Sequence, residues 1–271
     1  MVVIIHANRS PWSEIALNGQ CKTWIPTFLN AGLKVTYTNS RIRLPRIWST
    51  LDWLDVFIRY RGGKVLAYTR NSFAKILTKP FLEYVPDLYL TDSNFGLLGL
   101  TSLESSIPDL YMLQRWRRLA ILNYFLTNTD SDYLIFTSSS SYLNYPQLMI
   151  ELRSKTVGTV AGRINMFDSE QDFISGSFMI LDRTTAELIL SNKHLMPGEP
   201  LDDIAFGILF RRLRIPLEAF SSRDITSSMH LSEINSGELS GVSHFRLKSL
   251  KGRSRVDSLL MGQLHARLTK F

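Results

Sequence analysis

Short apolar runs alternate with longer helical stretches along most of this chain, and that alternation limits its fold more than any other feature. VVIIHA (2–7), KVTYTN (34–39), DLYLTDS (87–93), the run Tyr133–Phe136 and TVGTVAG (156–162) read as strands. Between them, EIALNGQCKTWIPTFLNAG carries an amphipathic helical pattern ended by Gly32, and 108–129 forms a longer one. FISGSFMILDRTTAELILSN reads as a tight turn, a strand and a helix, and LDDIAFGILFRRL (201–213) as a helix opened by acidic residues. KVLAYTR (64–70) adds a candidate strand, SFAKILTKPFLEYV a helix interrupted by Pro80, and LDWLDVFIRY fits either state. Strands alternating with helices predict an α/β fold, Rossmann-like, with a mostly parallel central sheet flanked by helices. The polar, Ser-rich stretch 221–243 reads as a loop near a site, and 254–269 as a basic helix.

With 271 residues, 45% of them hydrophobic, the chain can bury the core of one such domain, and no repeat or linker divides it. No apolar run approaches bilayer length and the start lacks a signal-peptide pattern, so a cytoplasmic protein is expected. The single cysteine, Cys21, excludes an internal disulfide and suits a reducing compartment. A net charge of +7 favours anionic partners: nucleotides, polyphosphates, nucleic acid or an acidic membrane face. Nucleic acid is not expected, because zinc spacing, RNA-binding aromatic patterns and a helix-turn-helix are all missing.

Other chemistries are excluded in turn. The five histidines never reach metal-ligand spacing, and no nucleophile elbow, P-loop or dinucleotide glycine fingerprint occurs. What remains is an ordered series: arginines in a helix, then YLIFTSSSSYLN (133–144), ISGSFMILD (174–182) and DDIAFGILFRRLRI (202–215).

In order, spacing and register, these three blocks resemble the inverting β-1,3-glycosyltransferases, the Fringe-like enzymes of GT-A fold. HANRSPWSEIALNGQCKTW near the start is similar to that family's opening segment, and 41–100 has no clear counterpart. The resemblance implies one GT-A-like domain over 1–271, with 1–145 mainly the donor half. The remainder, 146–271, would be mainly the acceptor half plus a C-terminal basic segment. It also implies a nucleotide-sugar donor and a glycan or lipid-linked glycan acceptor, as in surface polysaccharide synthesis.

One departure stands out. The family's aspartate triplet, which holds a divalent metal on the donor diphosphate, is replaced here by Ser138, Ser139 and Ser140. Hydroxyls are poor ligands for a hard dication, so no metal and no cofactor are expected. The leaving diphosphate would then need cationic side chains, for which His244, Arg246 and Lys248 are the candidates. The serines would face the diphosphate or ribose as neutral donors. Ser175, Gly176 and Ser177 match the family's small residues beside the sugar, while Arg9, Arg117 and Arg118 are further donor-site candidates. Asp203 takes the place of the family's general base, and Asp202 precedes it where the family has Glu. The plainer reading of that pair is helix N-terminal charge. Two alternatives stay open: a catalytically inactive GT-A-like binding domain, and a basic nucleic-acid-binding protein. Peripheral contact with the acidic inner face of a membrane would suit the charge.

Overall fold

In the computed structural model the period of two along each central strand sends alternate side chains to opposite faces, and each face carries its own core. The structure describes residues 1–5, 12–40, 88–92, 100–107, 113–166, 172–197, 201–249 and 255–270. Arg9 and the candidate elements within 41–87 lie outside the described residues.

The main sheet contains eight strands: β1 (Val2–Ile5), β2 (Val35–Ser40), β3 (Leu88–Asp92), β4 (Thr101–Ser105), β5 (Tyr133–Ser138), β7 (Val160–Met166), β8 (Asp172–Asp182) and β9 (Leu217–Ala219). Their spatial order is β3-β4-β2-β1-β5-β8-β7-β9. β3 and β8 run against the others, which all share one direction. The expected mostly parallel central sheet flanked by helices is therefore present. A small second sheet joins β6 (Ser141–Leu143), β11 (His244–Leu247) and β10 (Ser222–Ile225), drawing on residues from both sides of position 145.

On one face Val2, Ile4, Ile135, Phe178 and Ile180 pack with α1 (Trp12–Asn18), α2 (Trp24–Asn30), α4 (Tyr145–Ser154) and α9 (Asp257–Leu268). On the other, Val3, Leu134, Phe136, Met179 and Leu181 meet α3 (Gln114–Asn128), α5 (Arg183–Ser191) and α6 (Asp202–Arg212). Burying large apolar side chains at roughly 1.5–3 kcal/mol each makes these two layers the main source of stability.

Three expectations need correction. The helical pattern after β1 is two helices, α1 and α2, joined by a 3-10 turn at Gln20–Lys22. Ser175-Gly176-Ser177 lies within β8 rather than in a turn before it. The Ser-rich stretch 221–243 holds β10, α7 (Ser228–Glu233) and α8 (Ser236–Ser240), not one loop. Its apolar residues Ile225, Leu231 and Leu239 are buried in the first core, and so the segment is ordered by tertiary contact despite its polarity.

Candidate active site

The three sequence blocks converge on a defect in β8. Pairing between β7 and β8 jumps from Gly162↔Met179 to Ile164↔Ile174, and so the single residue Arg163 faces Ser175–Phe178. A bulge of this kind frees backbone groups from the ladder and re-aims them. It lies just beyond the last β5–β8 pair, Thr137↔Phe178, at the carboxyl end of β5. Open α/β sheets place their ligands at such strand ends.

The freed groups of Gly176 are taken by side chains from two helices. Its carbonyl accepts from Arg118 Nη2 of α3 at 2.7 Å. Its N–H donates to Asp203 Oδ2 of α6 at 3.4 Å. Arg118 Nε also donates to Asp202 Oδ2, closing a ring of Arg118, Asp202, Asp203 and Gly176. A Cβ on Gly176 would stand 2.9 Å from Arg118 Nη2 and 3.6 Å from the Asp203 Cβ, so glycine is what lets these side chains close in. Gly207 brings α6 down on the strand in the same way, since a Cβ there would meet the Phe173 Cβ at 2.6 Å.

Arg118 is almost wholly buried, its guanidinium 4.9 Å over the Phe136 ring. Its Nη1 has no hydrogen-bond partner among the described residues. Asp203 is half-buried and accepts a second bond, from the Ile204 N–H to Oδ1 at 3.0 Å. Burial first, and repulsion from Asp202 second, push its carboxyl pKa up to about 6. The helix N-terminus and the two backbone N–H bonds act in the opposite direction, favouring the charged form.

On the other side of the bulge lies the serine row. Ser138 Oγ bonds the Oγ atoms of Ser140 at 3.3 Å and Ser141 at 2.9 Å. Ser139 Oγ donates to the Ile5 carbonyl at 3.4 Å, and Ser141 Oγ to the Ser177 carbonyl at 3.2 Å. Ser175 and Ser177 share a 2.9 Å hydroxyl contact. Gln20 Nε2 binds the carbonyls of both Ser138 and Ser141 at 3.0 Å, which fixes the turn between β5 and β6. These hydroxyls are neutral and engaged with one another, a poor donor set for the divalent ion that the resembling family holds here. Among the described residues no group of three His, Cys, Asp or Glu side chains is placed to hold one either.

The basic segment divides into unlike parts. His244 is fully buried, stacked on Phe178 with ring centroids 4.5 Å apart. Both its nitrogens are engaged, Nδ1 with Ser222 Oγ at 2.7 Å and Nε2 with Ser141 Oγ at 3.1 Å. Burial, then Arg163 and Arg246, drive its pKa down to about 3, and the ring is neutral. Lys248 Nζ is held by Asp224 Oδ2 at 2.6 Å. Arg246 is half-buried and forms no hydrogen bond or ion pair with the described residues, although Asp224, Arg163 and Asp203 all act on its charge. Arg117, the other helical arginine expected here, is buried and donates to the Ile107 carbonyl at 3.5 Å. Sequence reasoning missed Arg163, Asp224 and Ser222, which belong to no block with a recognisable pattern, and within the serine block it singled out Ser138–Ser140 but not Ser141.

No family model matches the chain, and no curated protein matches it. Among solved structures it is similar to a glycosyltransferase involved in glycosylation of the major capsid of PBCV-1. The TM-score is 0.47 at 8% identity, over 97% of this chain and 98% of that one. It is similar also to the galactosyltransferase LgtC in complex with donor and acceptor sugar analogues, with a TM-score of 0.48 at 8% identity, over 99% and 96% of the two chains. Likeness at this level leaves the chemistry to be argued from this chain's own side chains.

Proposed function

We propose that this chain is an inverting glycosyltransferase that takes a sugar from a nucleotide-sugar donor without a bound metal. The acceptor would be a hydroxyl of a glycan or lipid-linked glycan, as in surface polysaccharide synthesis. The observation that carries this reading is the bulge at Ser175–Ser177, which gathers Asp203, Asp202 and Arg118 beside the serine end of β5. The resemblance of the sequence to Fringe-like enzymes of GT-A fold supports this reading, since the counterparts of that family's base and sugar-proximal residues are these same positions.

In this reading Asp203 removes the proton of the acceptor hydroxyl while that oxygen attacks the anomeric carbon. The bond from that carbon to the diphosphate oxygen breaks on the opposite face, and the configuration inverts. A carboxylate with a pKa near 6 is still mostly ionised at neutral pH, yet basic enough to take the proton as the new bond forms. Arg246, which pairs with no carboxylate among the described residues, neutralises the departing nucleoside diphosphate. Buried His244 acts behind the serine row, where it fixes Ser141 and Ser222 as a neutral ring. Arg118 holds Asp202 and the bulge, and thereby sets where Asp203 stands.

The test is a panel of nucleotide sugars, scored for donor hydrolysis and for transfer to glycan acceptors, in excess EDTA and with added manganese. Turnover that persists in EDTA and produces inverted product is expected. Turnover that needs manganese would remove the metal-free part of the reading. No turnover and no stabilisation by any nucleoside diphosphate would return the chain to a non-catalytic binding role.

A further inference from the structure

The cations beyond the bulge are arranged around a carboxylate of the protein itself. Arg163, the residue opposite the bulge, donates to Asp224 through both Nη1 and, at 3.2 Å, Nη2. This two-pronged contact is the geometry in which a guanidinium also grips a phosphate. Lys248 Nζ reaches the same carboxylate at 2.6 Å. Arg246 stands level with Asp224 across the parallel β10–β11 pair but makes no bond to it. Burial alone would raise the Asp224 pKa, but the hydrogen bonds from Arg163 and Lys248 outweigh it and hold the carboxyl below its usual range. The group is open to solvent, with side chains 24% exposed for Arg163, 26% for Asp224 and 43% for Lys248. Three cations thus surround one carboxylate, an excess of positive charge beside the proposed reaction centre.

We propose that Asp224 is the resident occupant of an anion site formed by Arg163, Arg246 and Lys248, and that the diphosphate of the donor displaces it. The proposal rests on the glycosyl-transfer reading for the identity of the ligand, and on these contacts for the site. Asp224 keeps the guanidinium of Arg163 extended and pre-formed when no donor is bound, and it competes with the donor for the same fork. A diphosphate offers more charge and more acceptor oxygens than one carboxylate. It engages Arg246, which the carboxylate leaves free, and so it wins the exchange.

Calorimetric titration of the full chain with inorganic pyrophosphate, UDP and GDP tests this. Replacing the competitor by an uncharged isostere, Asp224→Asn, should tighten pyrophosphate binding by about tenfold, the effect of losing one charge-assisted contact. The gain should vanish in the Arg163→Met, Asp224→Asn double variant, because the fork it frees is then gone. Asp224→Ser serves the same purpose if the Asn variant does not fold. Binding that is unchanged or weaker in Asp224→Asn and Asp224→Ser would overturn the proposal, since Asp224 would then be a support for the cations and not an occupant. At least one nucleoside diphosphate should bind more tightly than pyrophosphate. If pyrophosphate equals or exceeds both, a free polyphosphate and not a nucleotide donor is the ligand, and that part is overturned. The two readings fail separately: sugar transfer without an Asp224→Asn gain loses the displacement alone, while the gain without any transfer keeps the anion site and loses the transferase.

Discussion

Two aspartates at two helix N-termini touch the same strand and are held in opposite ways. Asp182 ends β8 and caps α5, accepting from the Thr185 N–H at 2.7 Å and the Gly158 N–H at 2.8 Å. Buried Lys155 adds a 3.0 Å ion pair to it, and Lys155 itself is held by the Thr156 and Thr159 carbonyls, each at 2.9 Å. Burial opposes the charge of Asp182, yet its hydrogen bonds outweigh burial and lower its pKa. Asp203, the second residue of α6, has a long bond to Gly176 and another acid next to it, and its pKa is raised. The cation nearby, Arg118, bonds to Asp202 instead. One acid is satisfied and therefore structural, whereas the other is left under-compensated. The position at a helix start is shared, and only the partners separate the two.

The strongest way to break this contrast is to neutralise each acid site in turn. Asp203→Asn should lower the turnover of the proposed transfer by about 10²–10⁴, the range for a missing general base, with the fold intact. Steady-state kinetics against the preferred donor reads it, and turnover within threefold of wild type would end the assignment of Asp203 as base. At the other aspartate the loss should fall on stability. Lys155→Met strands a buried carboxylate and should cost about 3 kcal/mol in denaturant unfolding. A Lys155→Met protein as stable as wild type would mean that Asp182 is held by its N–H bonds alone and that the contrast is overstated.

Much of this was legible in the sequence because the three blocks carry local signals. The apolar run of β5, the small residues of β8 and the acidic start of α6 each have a pattern, and their order placed them at one site. What stayed hidden depends on partners distant in the chain. The bulge exists only as a mismatch between β7 and β8, so nothing near Ser175 distinguishes it from a turn. Arg163 and Asp224 are 61 residues apart and meet only because β7 and the small sheet lie side by side. His244 sits among Arg246, Lys248 and other basic residues and reads as one more surface cation; it shares a strand face with Arg246, and only its contacts with Phe178, Ser222 and Ser141 bury the ring. The segment 221–243 is polar by composition, and only its few apolar residues, spaced to reach one core, reveal that it folds.

The contrast also predicts a small effect with a definite sign. Asp203 has a folded pKa of about 6 against an ordinary value of 3.8, so the native state holds its proton more tightly than the unfolded chain does. Its ionisation therefore weakens folding as pH rises from about 4 to about 6, and the deficit persists above that range. Asp203→Asn removes the ionisable group, so its melting temperature relative to wild type should be higher at pH 8 than at pH 4. A half-buried carboxylate makes this of order 1 kcal/mol, about 2–4 °C for a chain of this size. Asp182, with its pKa lowered, carries the reverse dependence: the stability it contributes is present above its ordinary pKa and lost as pH falls through the lower one. Melting curves of Asp203→Asn and Asp182→Asn across this range should diverge in opposite directions from wild type. Parallel curves would show that the two carboxyls are held alike, and the argument that singles out Asp203 for chemistry would lose its electrostatic support.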